Sequence, residues 1–124
     1  VRVMMAPRGG ELSPPYRAGM TYAVDMARSG VKVLLYQGAY FHAKTICVDS
    51  MVCSIGSANI DIRSFAINYE TNLVIYDERV TRELEADFEQ DERRCVPFSV
   101  DEYRTRNVLT RFADSTARLC SPLL

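Results

Sequence analysis

Two short β-type runs, VRVMM (1–5) and VKVLLYQ (31–37), flank a helical pattern. Between them Tyr16, Met20, Ala23, Val24 and Ala27 recur at helical spacing, and Gly30 stops the pattern. A helix between two strands is too long for a hairpin, so this order predicts a βαβ unit with a parallel strand pair. That requirement restricts the topology more than any other feature of the chain. The segment 6–15, rich in Pro and Gly, reads as the loop leading into the helix.

The alternation of element types continues downstream. AKTICVD and MVCSIG read as two strands joined by a tight hairpin turn at Asp49-Ser50. YETNLVIYD reads as another strand. A charged amphipathic helix is expected over 78–94, carrying Val80, Leu84 and Phe88 and ended by Pro97 in CVPFSV. A second helix is expected from Asp101 to about Leu119, with Tyr103, Val108, Leu109, Phe112, Ala113 and Leu119 on its apolar side. The expected fold class is therefore α/β, one mixed β-sheet flanked by helices, in a single domain over residues 1–124.

Composition narrows the function classes. Net charge is -1 and pI about 5.8, without the basic surplus that advertises a DNA binder, so no nucleic-acid partner is expected. No apolar run is long enough to span a bilayer. The first residues open directly in a strand pattern without an initiating Met, and read as a cut inside a longer protein. Cys47, Cys53, Cys95 and Cys120 form no C-x-x-C pair; they read as small buried hydrophobes in a reducing compartment, and no metal site is expected.

The stretch FHAKTICVDSMVCSIGSAN (41–59) holds the only histidine of the chain, His42. On a strand, His42 and Lys44 face one way, with Ala43 expected to pack, together with Ile46 and Val48, on the other. The hairpin then returns the chain to Gly56-Ser57 and to Asn59 on a loop or helix start. An imidazole, an ammonium and an amide around one small volume suit a phosphate ester. A neutral imidazole can attack phosphorus, and Lys44 and Asn59 can donate to the non-bridging oxygens. No cofactor is needed for this, and the stretch lacks the carboxylate cluster that would hold magnesium or calcium. Glu70, at the start of the next strand, is placed to accept from the other ring nitrogen of His42 and fix its tautomer.

The string H-x-K, four residues, D, six residues, G-S-x-N is the signature of the phospholipase D superfamily, and HAKTICVDSMVCSIGSAN resembles it at every defined position. GSANIDIRSFAINYETNLVIYD, ARSGVKVLLYQGAYFHAKT and RFADSTARLCSPLL resemble the C-terminal half of bacterial cardiolipin synthases. The resemblance implies a phospholipase D-like lobe. It makes His42 a catalytic histidine, with Lys44 and Asn59 on the phosphate. Asp49 belongs to the motif with a supporting role, and Ser57 and Glu70 support the histidine. It further implies a two-lobed, metal-free enzyme with two such motifs, one histidine acting as nucleophile and the other protonating the leaving group. The implied reaction converts two phosphatidylglycerol molecules to cardiolipin plus glycerol through a phosphohistidine, at the bacterial cell membrane.

A single histidine cannot fill both roles. The expected partner is therefore a missing N-terminal lobe with a second His/Lys/Asp motif, or a second copy of this chain. Phosphatidylglycerol and anionic membrane lipid are the expected small-molecule and surface partners. Two other readings stay open: a homodimeric phosphodiesterase or nuclease of the same superfamily, and a non-catalytic lobe. Two smaller features also stay open. The C-terminal helix, with Arg104, Arg106, Arg111 and Arg118, is either a core-packing helix with solvated arginines or an interfacial helix that meets anionic lipid. The IDIRSF segment either places Arg63 or Ser64 near a phosphoglycerol headgroup, or leaves Arg63 as a surface ion-pair partner.

Overall fold

The computed structural model describes residues 1–5, 13–38 and 42–123. Most of the loop expected over 6–15 therefore lies outside the described residues. The chain divides into two compact units, 1–40 with 94–124, and 41–93.

The first unit is built on the expected βαβ order. Strand β1 (Arg2–Met5) pairs in parallel with β2 (Lys32–Tyr36). Helix α1 (Pro14–Arg28) connects them, starting with Pro in its first turn, where a missing N–H costs nothing. It ends on Gly30 at φ +84°, a left-handed conformation that suits glycine. Val31 N–H donates to the Met26 carbonyl and Gly30 N–H to that of Ala27, which satisfies the last turn. Met20, Ala23 and Val24 of the expected stripe are buried, with Val33, Leu34 and Tyr36 of β2. Each large side chain buried in this way contributes about 1.5–3 kcal/mol.

Sequence reasoning missed the third strand of this unit. Helix α3 (Glu78–Glu92) ends before Pro97, and Cys95–Pro97 form β6, antiparallel to β2. Pro97 is tolerated because β6 lies at the edge of the order β1-β2-β6. The single helix expected over 101–119 is two: α4 (Val100–Thr105) and α5 (Val108–Leu119). Arg106 is extended at ψ 151°, and Asn107 starts α5 by accepting from Leu109 N–H with its side chain. The apolar spacing runs across this joint, which is why the break is invisible to periodicity. Asp114 of α5, fully buried, accepts from Arg17 of α1 (3.0 Å), Tyr103 of α4 (3.1 Å) and Arg106 (3.4 Å). The Tyr103 phenol is held above its ordinary value by burial and by the adjacent Asp114 charge.

The second unit carries a separate antiparallel sheet, so among the described residues the strands form two three-stranded sheets rather than one. Its order is β3-β4-β5, with β3 Thr45–Val48, β4 Val52–Gly56 and β5 Asn72–Ile75. Short helix α2 (Ile62–Ala66) lies between β4 and β5, and α3 follows β5. Register pairs Cys47 with Cys53 and Cys53 with Ile75, so these three share the face that α3 covers. Cys53 and Thr81 of α3 are fully buried there. The Asp49-Ser50 turn forms as expected, with both residues at positive φ (51° and 53°). Ser50 donates through its N–H (3.1 Å) and hydroxyl (2.5 Å) to Glu85, which ties the hairpin tip to α3.

Candidate active site

Each motif residue is held by the second unit. His42, Ala43 and Lys44 precede β3 and are not themselves strand, contrary to the expectation from alternation. The ladder nevertheless extends one step toward them, because Gly56 N–H donates to the Lys44 carbonyl (3.1 Å). Lys44 Nζ folds back to donate to the His42 carbonyl (3.1 Å), which keeps the ammonium beside the His42 backbone. The expected packing of Ala43, Ile46 and Val48 against a core is also corrected. Ala43 is exposed, and Ile46 and Val48 are 52% and 48% exposed. For Ile46 and Val48 the reason is parity, since they share the face of residue 44 while the covered face belongs to Cys47; Ala43 lies before β3 begins.

Gly56 is required by crowding. Its φ is ordinary, but a Cβ there would collide with the Thr71 carbonyl and the Asn72 side chain on β5. The motif glycine thus lets β4 and β5 close where the chain leaves the sheet. Ser57 continues the closure: its N–H donates to the Thr71 carbonyl (3.0 Å), and its hydroxyl accepts from Thr71 N–H (2.9 Å). Ala58 N–H meets the Asn72 side-chain oxygen at 3.5 Å.

Glu70 is the hub of the site. Its carboxylate accepts from the hydroxyls of Ser57 (2.5 Å) and Ser64 (3.0 Å) and from the Asn68 amide (3.3 Å). The Ser57 hydrogen bond, with those from Ser64 and Asn68, holds its pKa below the ordinary glutamate value, so the group stays charged. Ser64 in turn accepts from Asn59 N–H (3.0 Å), and Asp61 caps α2 by accepting from Ser64 N–H (2.7 Å). One chain of hydrogen bonds therefore runs from Ser57 through Glu70 and Ser64 to the backbone of Asn59. Among the described residues the Asn59 carboxamide itself takes no partner, so its donors are available to a ligand.

The structure brings Lys44 to Gly56 across the β3–β4 ladder, and joins Ser57, Glu70 and Asn59 through the hydrogen-bond chain. Asp49 sits elsewhere, at the exposed hairpin tip, as its turn chemistry suggests. Arg63 donates to the Asn68 side chain (3.4 Å), next to the hub. Sequence reasoning overlooked Ser64, Asn68 and Asn72 as supports. The spacing Asp61-x-x-Ser64 is a helix-start signal that would have pointed to the first of these. Among the described residues no group of three or more His, Cys, Asp or Glu side chains is placed to hold a metal ion.

Comparisons with known proteins place the chain in a family. Residues 1–92 match the family described as cardiolipin synthase, PLD-like domain. A cardiolipin synthase of Clostridium perfringens is 39% identical over 104 residues, covering 84% of this chain and 22% of that protein. The major cardiolipin synthase of Bacillus subtilis is 37% identical over 121 residues, covering 98% of this chain and 25% of that protein. The chain thus spans about a quarter of the length of these relatives. The crystal structure of Nuc, a phospholipase D family member from Salmonella typhimurium, superposes with a TM-score of 0.63. It does so at 22% identity, over 79% of this chain and 63% of that one, a likeness of fold.

Proposed function

This chain belongs to the cardiolipin synthase, PLD-like domain family, and from that premise we propose that it supplies one half of a phosphatidyl-transfer site. His42 is one histidine of the reacting pair. Lys44 and Asn59 donate to the non-bridging phosphate oxygens and stabilise charge that grows on them in the transition state. Glu70, with Ser57 and Ser64, keeps the loop bearing Asn59 in place and supports the His42 imidazole as a positioning group. Asp49 acts through the hairpin turn.

The reaction balances without a cofactor. One histidine attacks phosphorus of phosphatidylglycerol, and the glycerol leaves with a proton from the other. The second histidine then takes the proton from the hydroxyl of another phosphatidylglycerol as that oxygen attacks the phosphohistidine. Cardiolipin forms and the first histidine is regenerated. The second histidine comes from a lobe carrying another His/Lys/Asp motif or from a second copy of this chain. Both substrates are diacyl lipids, so the reaction belongs at a membrane surface. Among the described residues no helix is long and apolar enough to cross a membrane.

The observation that carries this reading is the continuous support from Lys44, across Gly56, through Ser57, Glu70 and Ser64 to Asn59. The test is labelled phosphatidylglycerol in mixed micelles without added metal, with the chain joined to a second His/Lys lobe. Cardiolipin and glycerol are the expected products, and His42→Ala abolishes them. Cleavage of a different phosphodiester instead would keep the family and overturn the substrate.

A further inference from the structure

Helix α5 is turned the wrong way for a helix whose purpose is to fill a core. Against α1 it buries small and polar residues, with Asp114 fully enclosed and also bound by Tyr103 of α4, and Ala117 buried. Its large apolar residues face outward: Val108 is 75% exposed, Leu109 76%, Phe112 71% and Leu119 83%. At 100° per residue, Val108, Phe112 and Leu119 fall within roughly 40° of one another, with Leu109 roughly 60° further round. The core-packing reading of this stripe is therefore corrected.

Arginines flank it. On the same helical projection Arg111 and Arg118 lie within roughly 20° of each other, beside the apolar arc. They join Arg28 of α1 and Arg104 of α4 around an open cleft of about 440 Å³, whose wall also includes Phe112. Four arginines line this cleft against one carboxylate, Asp25, in a chain whose net charge is -1. Asp25 is engaged by Arg118 at 2.7 Å, and Arg118 also lies over the Tyr22 ring at 4.5 Å. Arg111 donates to the Arg104 carbonyl at 3.4 Å, and among the described residues it forms no ion pair.

We propose that this face of α1, α4 and α5 docks on an anionic phospholipid bilayer. Phe112, Val108, Leu109 and Leu119 enter the interface between headgroups and acyl chains. Arg28, Arg104 and Arg111 meet lipid phosphates at the rim. A long apolar wedge with basic flanks is the pattern of a helix lying in a membrane surface, and arginine stems can lie along apolar matter while their heads stay at the phosphates. Charge complementarity selects the occupant. A protein surface covering this face would have to bring its own carboxylates to the arginines, whereas an anionic bilayer offers phosphates above apolar chains at every point. None of the residues of this face belongs to the His42 motif, so its test is binding and does not depend on catalysis.

The chain contains no Trp, so a Phe112→Trp variant carries a single reporter at the centre of the stripe. Phe112 is mostly exposed, and the substitution does not disturb the core. Its emission is recorded with vesicles of phosphatidylcholine alone and with vesicles of one part phosphatidylglycerol to two parts phosphatidylcholine. A blue shift is expected only with the phosphatidylglycerol vesicles, reversed by high salt. In co-sedimentation with the same vesicles, Arg28→Gln with Arg111→Gln is expected to weaken binding by roughly twenty-fivefold, about fivefold for each basic residue. Unchanged emission on adding the anionic vesicles overturns the proposal. So does emission already blue-shifted without lipid and rising with protein concentration, which means that a second copy covers the face.

Discussion

Glu70 is where a residue-level account can be tested most sharply. Three hydrogen bonds favour its charged form, and its pKa in the folded chain is lowered. A carboxylate with a lowered folded pKa contributes stability that is fully present above its unfolded value, and loses it as pH falls through the folded value. The Ser57–Glu70–Ser64 link is therefore expected to loosen only in acid, below the ordinary glutamate range. Titration of the Glu70 carboxyl by NMR checks the midpoint. Glu70→Gln keeps the shape but removes the charge and one acceptor. Phosphatidyl transfer is expected to fall about tenfold through the rate rather than through KM, because Glu70 positions groups that act in the transition state. Gly56→Ala is expected to cost about 1–3 kcal/mol in thermal unfolding, since its Cβ meets β5 backbone that must shift. The motif and its flank singled out His42, Lys44, Ser57, Asn59 and Glu70 as candidates, and the structure links Ser57, Glu70 and the Asn59 backbone by hydrogen bonds. The links of Ser64 and Asn68 to Glu70 were not legible, because a hydroxyl and an amide acquire such a role only when the fold brings a carboxylate to them.

At the scale of elements, periodicity located helices and strands where one face is buried and failed where none is. The parallel pair β1–β2, helix α1 with its glycine stop and the Asp49-Ser50 hairpin were legible because local rules and tertiary packing agree there. Strand β6 was not, because its three residues are too short for a pattern and contain a proline that reads as a breaker. The joint at Arg106-Asn107 was hidden by residues that keep helical spacing on both sides of it, part-buried Tyr103 before it and the exposed Val108, Leu109 and Phe112 after it. The buried Asp114 is what fixes that joint, by holding α1, α4 and the joint itself through three side chains. Asp114→Ala leaves the guanidinium groups of Arg17 and Arg106 without their partner. It is expected to destabilise the first unit by about 3–5 kcal/mol, a large drop in the midpoint of thermal unfolding. An unfolding midpoint that hardly moves would mean that the joint is held by something else.

At the scale of the whole molecule, the two units divide the labour. Residues 41–93 carry every motif side chain, and residues 1–40 with 94–124 carry the basic and apolar surface of α5. The separation into two sheets was not legible, since strand patterns do not say which strands share a sheet. The proposed second histidine follows from the family resemblance together with the single histidine of the chain, because one imidazole cannot be both nucleophile and acid for the same leaving group. The central claim is that this chain is half of a phosphatidyl-transfer site. The most direct measurement is turnover of labelled phosphatidylglycerol by the chain held at concentrations where sedimentation proves it monomeric, beside the same chain joined to a second His/Lys lobe. Cardiolipin and glycerol are expected from the joined form, lost on His42→Ala, and essentially none from the monomer. Robust turnover by the proven monomer would contradict the claim.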